Sequence, residues 1–517
     1  MLKGNNINIS FKDGNKIIEN FSFCLNNNDK LGIIGEEGNG KSTLLKYLYN
    51  PKLIDHYTNY SGSINLSNEN IGYLPQSFNE EYLLLDVETF LITNPINNEI
   101  DYEIYNRFID VEKLFNDFKL DISILNEKRI INSLSGGEKI KLELIKLKLF
   151  KYDAYLLDEP TNDLDIDTIK LIEEFILSIN EPVILISHDV NLLTKVTNKI
   201  MLIERINKRS KTNYIYRNIG YSDFINLRNN EINKINKEAD KNKKIKEEAL
   251  KEASRTHQLV QNDLNRACRN PTLGRLLAKK MKNIKIIEKR LNDDLKDIKK
   301  IEKEEEINIF FDDDIYIPNS KRVLNLDLDI LKAEDKILSK NIKLIVEGNK
   351  HITIIGRNGI GKSTLLKYIF NILNKDKSIK VGYIPQNYDE ELNLNINSID
   401  YLKEIIGSDD KTITKIMSSL GAIKFNKDEM FNLIKDLSGG QKSKLLLLKC
   451  VLARCNVLLL DEPTRNLSPL SLGVIINILN SFKGCLITIS HDINLIKNIS
   501  DEIYELSESG IKRLDEI

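Results

Sequence analysis

Short, nearly continuous apolar runs occupy the first and last thirds of the chain, and a spaced apolar pattern lies between them. Leu31 to Ile34 and Ile352 to Ile355 have the length and character of buried strands. So do the stretches that run into Asp158-Glu159, Asp461-Glu462, Ser187-His188 and Ser490-His491. From about Asn229 to Glu306 the apolar positions recur at a 3-4 spacing instead: Ile232, Ile235, Ala239, Ile245 and Ala249, then Leu277, Met281, Ile284, Ile287, Leu291, Leu295 and Ile298. That spacing predicts two helices, each with one narrow apolar seam, as in a coiled coil. The segment Asn270-Pro271-Thr272-Leu273-Gly274-Arg275 holds its only proline and glycine, so Pro271 and Gly274 are expected to break the helix there and mark the turn. A helix of roughly 30 residues would project about 45 Å. Leu259, Val260, Leu264, Leu273, Leu276 and Leu277 are expected mainly to pack the two helices together near that turn, the alternative being that they cap the tip or project from it.

The strand-like thirds are copies of each other. Gly35-Glu36-Glu37-Gly38-Asn39-Gly40-Lys41-Ser42-Thr43 returns as Gly356-Arg357-Asn358-Gly359-Ile360-Gly361-Lys362-Ser363-Thr364. Gly72-Tyr73-Leu74-Pro75-Gln76 returns as Gly382-Tyr383-Ile384-Pro385-Gln386, and Leu134-Ser135-Gly136-Gly137 as Leu437-Ser438-Gly439-Gly440. Leu157-Asp158-Glu159-Pro160-Thr161 matches Leu460-Asp461-Glu462-Pro463-Thr464, and Ser187-His188-Asp189 matches Ser490-His491-Asp492. Five motifs in one order, twice, define an internal repeat.

Each motif has a mechanical rationale. A strand that enters Gly-x-x-x-x-Gly-Lys-Ser and continues as a helix places backbone N–H groups and a helix dipole at one point, a cradle for phosphates. Lys41 and Lys362 would reach the β- and γ-phosphates, and Ser42 and Ser363 would ligate Mg²⁺. Asp158 and Asp461, at strand ends, suit the metal shell. Glu159 and Glu462 beside them can orient or deprotonate a water. His188 and His491 share the Ile-Ser-His-Asp context and so a role at the γ-phosphate, whereas His56, His257 and His351 lack it and read as packed or surface residues.

Composition narrows the class. With 75 basic and 76 acidic residues the net charge is -1, which argues against a protein that coats nucleic acid with its whole surface. The exception is local: between Arg255 and Arg290, Arg255, Arg266, Arg269, Arg275, Lys279, Lys280, Lys282, Lys285, Lys289 and Arg290 face only Asp263 and Glu288. Charge concentrated at the far end of a projection suits RNA phosphates, read by shape and backbone. The stems, nearly balanced in charge, read as solvated faces. The five cysteines form no Cys-x-x-Cys pair, so structural zinc, iron-sulfur clusters and a disulfide framework are not expected. No signal peptide and no apolar run of 18 residues stands out, so the chain is expected to be cytoplasmic, with no membrane partner.

The five motifs resemble the Walker A, Q-loop, signature, Walker B and H-loop of the ATP-binding cassette superfamily. The resemblance implies an α/β fold with two tandem ABC-type P-loop ATPase domains joined by a long antiparallel α-helical hairpin. The expected domains are residues 1–222, 223–310 and 311–517, with ATP and Mg²⁺ as cofactors. It further implies two ATPs sandwiched between the domains of a monomer. Gly35, Gly38, Gly40, Lys41, Ser42, Thr43, Gln76, Asp158, Glu159 and His188 would face Ser438, Gly439 and Gly440. Gly356, Gly359, Gly361, Lys362, Ser363, Thr364, Gln386, Asp461, Glu462 and His491 would face Ser135, Gly136 and Gly137. Gln76 and Gln386 join the implied metal sets. Phe11 could stack on adenine, while Leu331 to Asp335 offers no aromatic in the second copy. Glu36 and Glu37 put negative charge where Arg357 and Asn358 stand. The plain expectation is that both carboxylates point to solvent.

Two cassettes flanking a helical linker, with Tyr214-Ile215-Tyr216-Arg217 and Gly220-Tyr221-Ser222-Asp223-Phe224 before it, look like the ABC-F subfamily, whose linker enters the ribosomal E site. The interval from Gln76 to Ser135 is only slightly longer than that from Gln386 to Ser438, and few residues follow His491, so neither an extra arm nor a long C-terminal extension is expected. Thr464-Arg465-Asn466-Leu467-Ser468-Pro469 resembles antibiotic-resistance members that protect ribosomes from lincosamides, pleuromutilins and streptogramin A compounds. The implied partners are the 70S ribosome, with 23S rRNA near the peptidyl-transferase centre, and P-site tRNA. Other readings are a housekeeping translation factor of the same architecture, the ATPase part of an exporter and, more weakly, a DNA-repair ATPase. The exporter gives the hairpin no task, and the cassettes lack the zinc-ligand cysteines and large insertions of the repair ATPases.

Overall fold

The structure, a computed structural model, describes residues 1–66, 70–95, 99–105, 108–162, 164–206, 211–266, 271–297, 309–312, 314–333 and 336–515. The chain divides into two units, Met1–Tyr221 with Glu305–Ile517, and Ser222–Glu304.

In the first unit each cassette is built on a mainly parallel sheet. Cassette 1 contributes β1 (Leu2–Phe11), β2 (Lys16–Leu25), β3 (Lys30–Ile34), β4 (Thr58–Leu66), β5 (Ile71–Leu74), β6 (Ala154–Asp158), β7 (Val183–Ile186), β8 (Lys199–Ile206) and β9 (Lys211–Arg217). Its large sheet has the order β5-β6-β7-β3-β8-β9, and β2-β1-β4 form a separate antiparallel sheet. Cassette 2 contributes β10 (Arg322–Ala333), β11 (Lys336–Glu347), β12 (His351–Ile355), β13 (Val381–Ile384), β14 (Val457–Asp461), β15 (Cys485–Ile489), β16 (Glu502–Ser507) and β17 (Gly510–Leu514). Its sheet order, β13-β14-β15-β12-β16-β17, repeats that of cassette 1, and β10-β11 take the place of the antiparallel sheet.

The apolar runs are apolar because both faces of these strands are covered. In β14 the alternation sorts neighbours between two cores. Val457 and Leu459 join a core with Leu324, Leu344 and Leu365 under the antiparallel strands. Leu458 and Leu460 join a second core with Leu445, Leu448 and Ile475 under the helical layer. Cassette 1 repeats the first arrangement with Ile7, Phe21, Leu44, Leu156 and Ile186.

The second unit is a helical hairpin, formed by helices Tyr221–Arg266 and Pro271–Asp297. The first helix has 46 residues, well beyond the expected 30 and about 69 Å long at 1.5 Å per residue. Pro271 opens the second helix and Gly274 lies inside it, so neither residue breaks a helix as expected. Proline is at home there because a first-turn N–H has no intrahelical acceptor. The seam holds at only part of the predicted positions: Ile232, Ala239, Met281 and Ile284 are buried, with Val260 and Leu277 beside Met281 and Ile284, and Leu291 and Leu295 are half-buried, while Ile235, Ile245 and Ile287 are exposed and Ile298 lies outside the described residues. Polar ties supplement the seam. His257 Nδ1 lies 2.9 Å from Glu288, the Ser254 hydroxyl donates to Glu288 at 3.1 Å, and Lys246 pairs with Asp294 at 3.3 Å. Leu259 and Leu276 are 65% and 63% exposed, so packing the helices together is not their role; the side chain of Leu273 lies outside the described residues.

Leu459 is fully buried at the centre of this scheme. Leu459→Ala should lower the stability of cassette 2 by about 2–5 kcal/mol, read as a lower urea midpoint by circular dichroism. An unchanged midpoint would contradict the two-core packing of β14.

Candidate active site

Register brings the motifs together. Ile33 and Asp158 both pair with Ile186, and Leu74 pairs with Leu157, so β3, β5, β6 and β7 end at one sheet edge. Ile354 and Asp461 likewise pair with Ile489, and Ile384 with Leu460. The phosphate loop, Gln76 or Gln386, the carboxylate pair and the histidine all follow directly from these strand ends. This is the crevice where ligands gather on open α/β sheets.

The loops leave their strands through glycine for a steric reason. A Cβ on Gly35 would stand 2.2 Å from the Ile203 carbonyl oxygen, and one on Gly356 would stand 2.5 Å from that of Leu506. Gly40 and Gly361, at φ 87° and 98°, turn the chain into the helices Lys41–Tyr49 and Lys362–Leu373, whose first turns carry Ser42, Thr43, Ser363 and Thr364. Gly38 and Gly359 also have positive φ. Lys41 donates to the carbonyls of Gly35 (2.7 Å) and Glu36 (3.1 Å), and Lys362 to those of Gly356 (2.7 Å) and Arg357 (3.1 Å). Glu159 and Glu462 have φ of 51° and 50°, a left-handed backbone that non-glycine residues rarely adopt and that is found disproportionately at functional sites.

The polar contacts differ between the two sites. In site 1 the Ser42 hydroxyl donates to Asp158 Oδ1 at 3.0 Å, while the buried Oδ2 has no hydrogen-bond partner. Burial, with the charge of Glu159 adding to it, pushes Asp158 up to about 6. Glu159 accepts from Gln76 at 3.2 Å and from Asn162, and His188 Nε2 lies 3.0 Å from it. Burial opposes the charge on Glu159, but the bonds from His188 and Asn162 and the positive charges of His188 and Lys41 outweigh it and hold the carboxyl at about 2. His188 Nδ1 lies 2.7 Å from the carbonyl of Leu467, in the other cassette.

In site 2 the histidine–glutamate side-chain bond of site 1 has no counterpart among the described residues, and Glu462 accepts from the His491 backbone N–H at 3.4 Å instead. His491 Nε2 stands 3.8 Å from Glu462, and neither ring nitrogen has a hydrogen-bond partner among the described residues. Burial and the charge of Lys362 depress His491 to about 4, whereas burial and the charge of Asp461 push Glu462 well up. Asp461 Oδ1 is buried without a hydrogen-bond partner, as Asp158 Oδ2 is. A cavity of about 430 Å³ opens here, lined by Lys362, Ser363, Gln386, Glu462 and His491 together with Asn162 and His188 of cassette 1.

The signature helices, Gly136–Leu149 and Gly439–Leu452, begin in capping boxes, Ser135 with Glu138 and Ser438 with Gln441. Their surroundings are unequal. Ser135 and Gly136 are exposed and, with Gly137, lie outside the lining of the cavity, whereas Gly440 is buried and its N–H donates to Glu37 at 3.1 Å. Glu36 accepts from the hydroxyls of Ser468 at 2.8 Å and Ser471 at 3.0 Å. The expectation that both carboxylates face solvent is therefore wrong: they span to the other cassette, which offers hydroxyls and a helix N-terminus there. Asn162, Asp165 and Lys444 also face these groups, although none stands among the expected site residues. Aligning the two copies finds their signal, because Asp165 stands where cassette 2 has Ser468. Phe11 ends β1 and is half-buried beside Tyr57, with ring centroids 6.3 Å apart. On the hairpin Arg255, Arg275, Lys279, Lys280 and Lys282 are exposed, while Arg269 and the side chain of Arg266 lie outside the described residues.

Residues 18–162 and 339–465 match the family model described as ABC transporter. The chain belongs to the ABC transporter family. This ABC protein is 31% identical over 522 residues to the ATP-binding protein Uup of Buchnera aphidicola, covering 98% of this chain and 80% of that one. It is 28% identical to the putative ATP-binding protein YdiF of Bacillus subtilis (99% and 81% covered) and 26% identical to ABC transporter F family member 5 of Arabidopsis thaliana (99% and 75%). The family match in both cassettes, with relatives named as ATP-binding proteins, makes it an ATPase. Its fold resembles that of an archaeal ribosome recycling factor, aABCE1, solved with a ribosomal stalk protein (TM-score 0.55, 15% identity, 95% of this chain and 87% of that one). Among the described residues no helix is long and apolar enough to cross a membrane.

Asp189 and Asp492 cap the helices Val190–Val196 and Ile493–Ile499. Burial first, then the charge of Asp189 from the other cassette, push Asp492 up to about 6. A carboxyl raised in the fold binds more protons there than in the unfolded chain, so its contribution falls as pH rises from 3.8 to about 6. Asp492→Asn keeps the cap and removes this loss. The variant should match wild type near pH 4 and exceed it by about 3 kcal/mol near pH 7 in urea melts. A gap independent of pH would refute the assignment.

Proposed function

We propose that this protein is an ATP-driven ribosome factor whose hairpin enters the E site and displaces antibiotics from the peptidyl-transferase centre. The observation that carries the ribosomal reading is the exposure of Arg255, Arg275, Lys279, Lys280 and Lys282 on the hairpin of a nearly neutral chain, beside the exposed Leu259 and Leu276. Such a surface matches RNA phosphates with nearby bases, and its binding should weaken as salt rises. Relatives named as F family members and a fold shared with a ribosome recycling factor support the same partner.

On this reading each ATP lies between one cassette's phosphate loop and the other's signature helix. Lys41 and Lys362 neutralise phosphate oxygens, and the N–H groups at the starts of the signature helices bind the terminal phosphate. Mg²⁺ fits beside Ser42 and Asp158, and beside Ser363 and Asp461, where each aspartate keeps a buried oxygen without a partner. When bound it would offset the phosphate charge. Gln76 and Gln386 complete the two sets. Glu159 and Glu462 orient the attacking water and His188 and His491 face the terminal phosphate. Phe11 supports adenine in the first site. ATP stabilises the closed cassettes relative to the open ones, which is the population shift that holds the factor on the ribosome until hydrolysis.

The double variant Glu159→Gln/Glu462→Gln should cosediment with 70S ribosomes in ATP, and expression of the wild type should raise resistance to lincosamides or pleuromutilins. A trapped variant with unchanged drug sensitivity would assign the protein to translation without protection. A variant that sediments free of ribosomes would refute the ribosomal reading. Lys279→Glu, Lys280→Glu and Lys282→Glu together should lower the slope of log affinity against log salt by roughly 2, while ATP hydrolysis without ribosomes stays unchanged.

A further inference from the structure

Glu36 and Glu37 reach three groups on cassette 2. Glu36 takes the Ser468 and Ser471 hydroxyls at the start of helix Pro469–Asn480, and Glu37 takes the Gly440 N–H at the start of the signature helix. Burial works against the charge on Glu36, but Lys444 of the signature helix, the two hydroxyls and Lys41 prevail and keep it ionised. Two anions of one cassette thus meet two helix N-termini and a buried lysine of the other, an arrangement of complementary sign.

Site 2 distributes the same charges differently. The residue corresponding to Ser468 is Asp165, which caps its own helix through the Thr168 N–H at 2.9 Å and acts electrostatically on Lys141, Lys362 and His491. The phosphate loop there carries Arg357 and Asn358. Between the copies, the carboxylate has moved from the helix cap of the facing cassette into the phosphate loop itself. Burial differs in the same sense at each matched position: Ser438 and Gly439 are half-buried and Gly440 buried, whereas Ser135 and Gly136 are exposed and Gly137 half-buried, and site 2 keeps its cavity.

We propose that Glu36 and Glu37 are a positioning pair that joins the cassettes at site 1 with the protein's own carboxylates, so that ATP enters site 1 only by displacing Glu37 from Gly440. The pair makes site 1 the weaker nucleotide site and leaves closure at site 2 to depend on ATP. This rests on the reading of two composite sites, because the Gly440 N–H is there a ligand of the terminal phosphate. A carboxylate and a phosphate compete for one donor, and Glu37 in addition repels the incoming anion.

The test uses the full chain and a fluorescent ATP analogue with Mg²⁺. Lys362→Ala isolates site 1 and Lys41→Ala isolates site 2. In the first background Glu37→Asn should tighten binding at least tenfold, and in the second Asn358→Glu should weaken it by a similar factor. A change below twofold in both overturns the competition. Distances between one spin label on each cassette, measured without nucleotide, test the joint. Ser468→Asp should add a longer-distance population, and Glu36→Arg combined with Ser468→Asp should restore the short one. A distribution that neither variant changes overturns the joint, and a rescue by charge exchange is not expected of residues that only fill space. If neither lysine variant removes a site, the composite reading itself fails. If the sites separate cleanly while Glu37→Asn does nothing, only the present inference fails.

Discussion

Everything chemical in this protein depends on one constraint: the interior of a two-faced parallel sheet cannot hold charge, so charged groups collect where its strands end. The strands β6 and β14 are buried along their whole length, and Asp158 and Asp461 are their last residues. One step further the backbone turns into the left-handed region at Glu159 and Glu462. A position that costs on the order of 1–3 kcal/mol of strain is held by the strand register, through the Glu159 and Glu462 N–H groups that donate to the carbonyls of Ile186 and Ile489 at 2.9 Å.

The same edge forces the two cassettes to depend on each other. Carboxylates withdrawn from water need donors, and several of these come from across the junction, such as Gly440 for Glu37 and Ser468 for Glu36. His188 bridges Glu159 of its own cassette and the Leu467 carbonyl of the other. Groups of this kind couple the arrangement at one site to the placement of a whole domain, which is the physical basis on which a ligand can shift a population. The two copies solve the problem with different residues, so the internal repeat is symmetric in backbone and asymmetric in charge.

How much of this was legible in the sequence follows from the kind of physics involved. The two-sheet plan was readable because strands buried on both faces must be continuously apolar, as Val457 to Leu460 are. The glycines at 35 and 356 were readable because a loop that passes so close to a carbonyl tolerates no Cβ. The hairpin was readable from its spacing, but its length and turn were not. Pro271 has opposite meanings at the start and in the middle of a helix, and composition does not say which applies. The destinations of Glu36 and Glu37 were hidden because their partners lie more than 400 residues away in sequence. Only a comparison of the copies, residue by residue, shows that a charge lost at Ser468 reappears in the opposite loop.

The first hairpin helix runs for 46 residues without a proline or glycine. Such a rod is indexed by its residue count. Each inserted residue would lengthen it by about 1.5 Å and rotate everything beyond by about 100°. One insertion would turn the residues beyond it aside, while seven, at two turns, would nearly restore their bearing and shift them by about 10 Å. Variation in the length of this element is therefore quantised: most insertions re-aim the residues beyond them, and only steps near a heptad lengthen the rod without turning it.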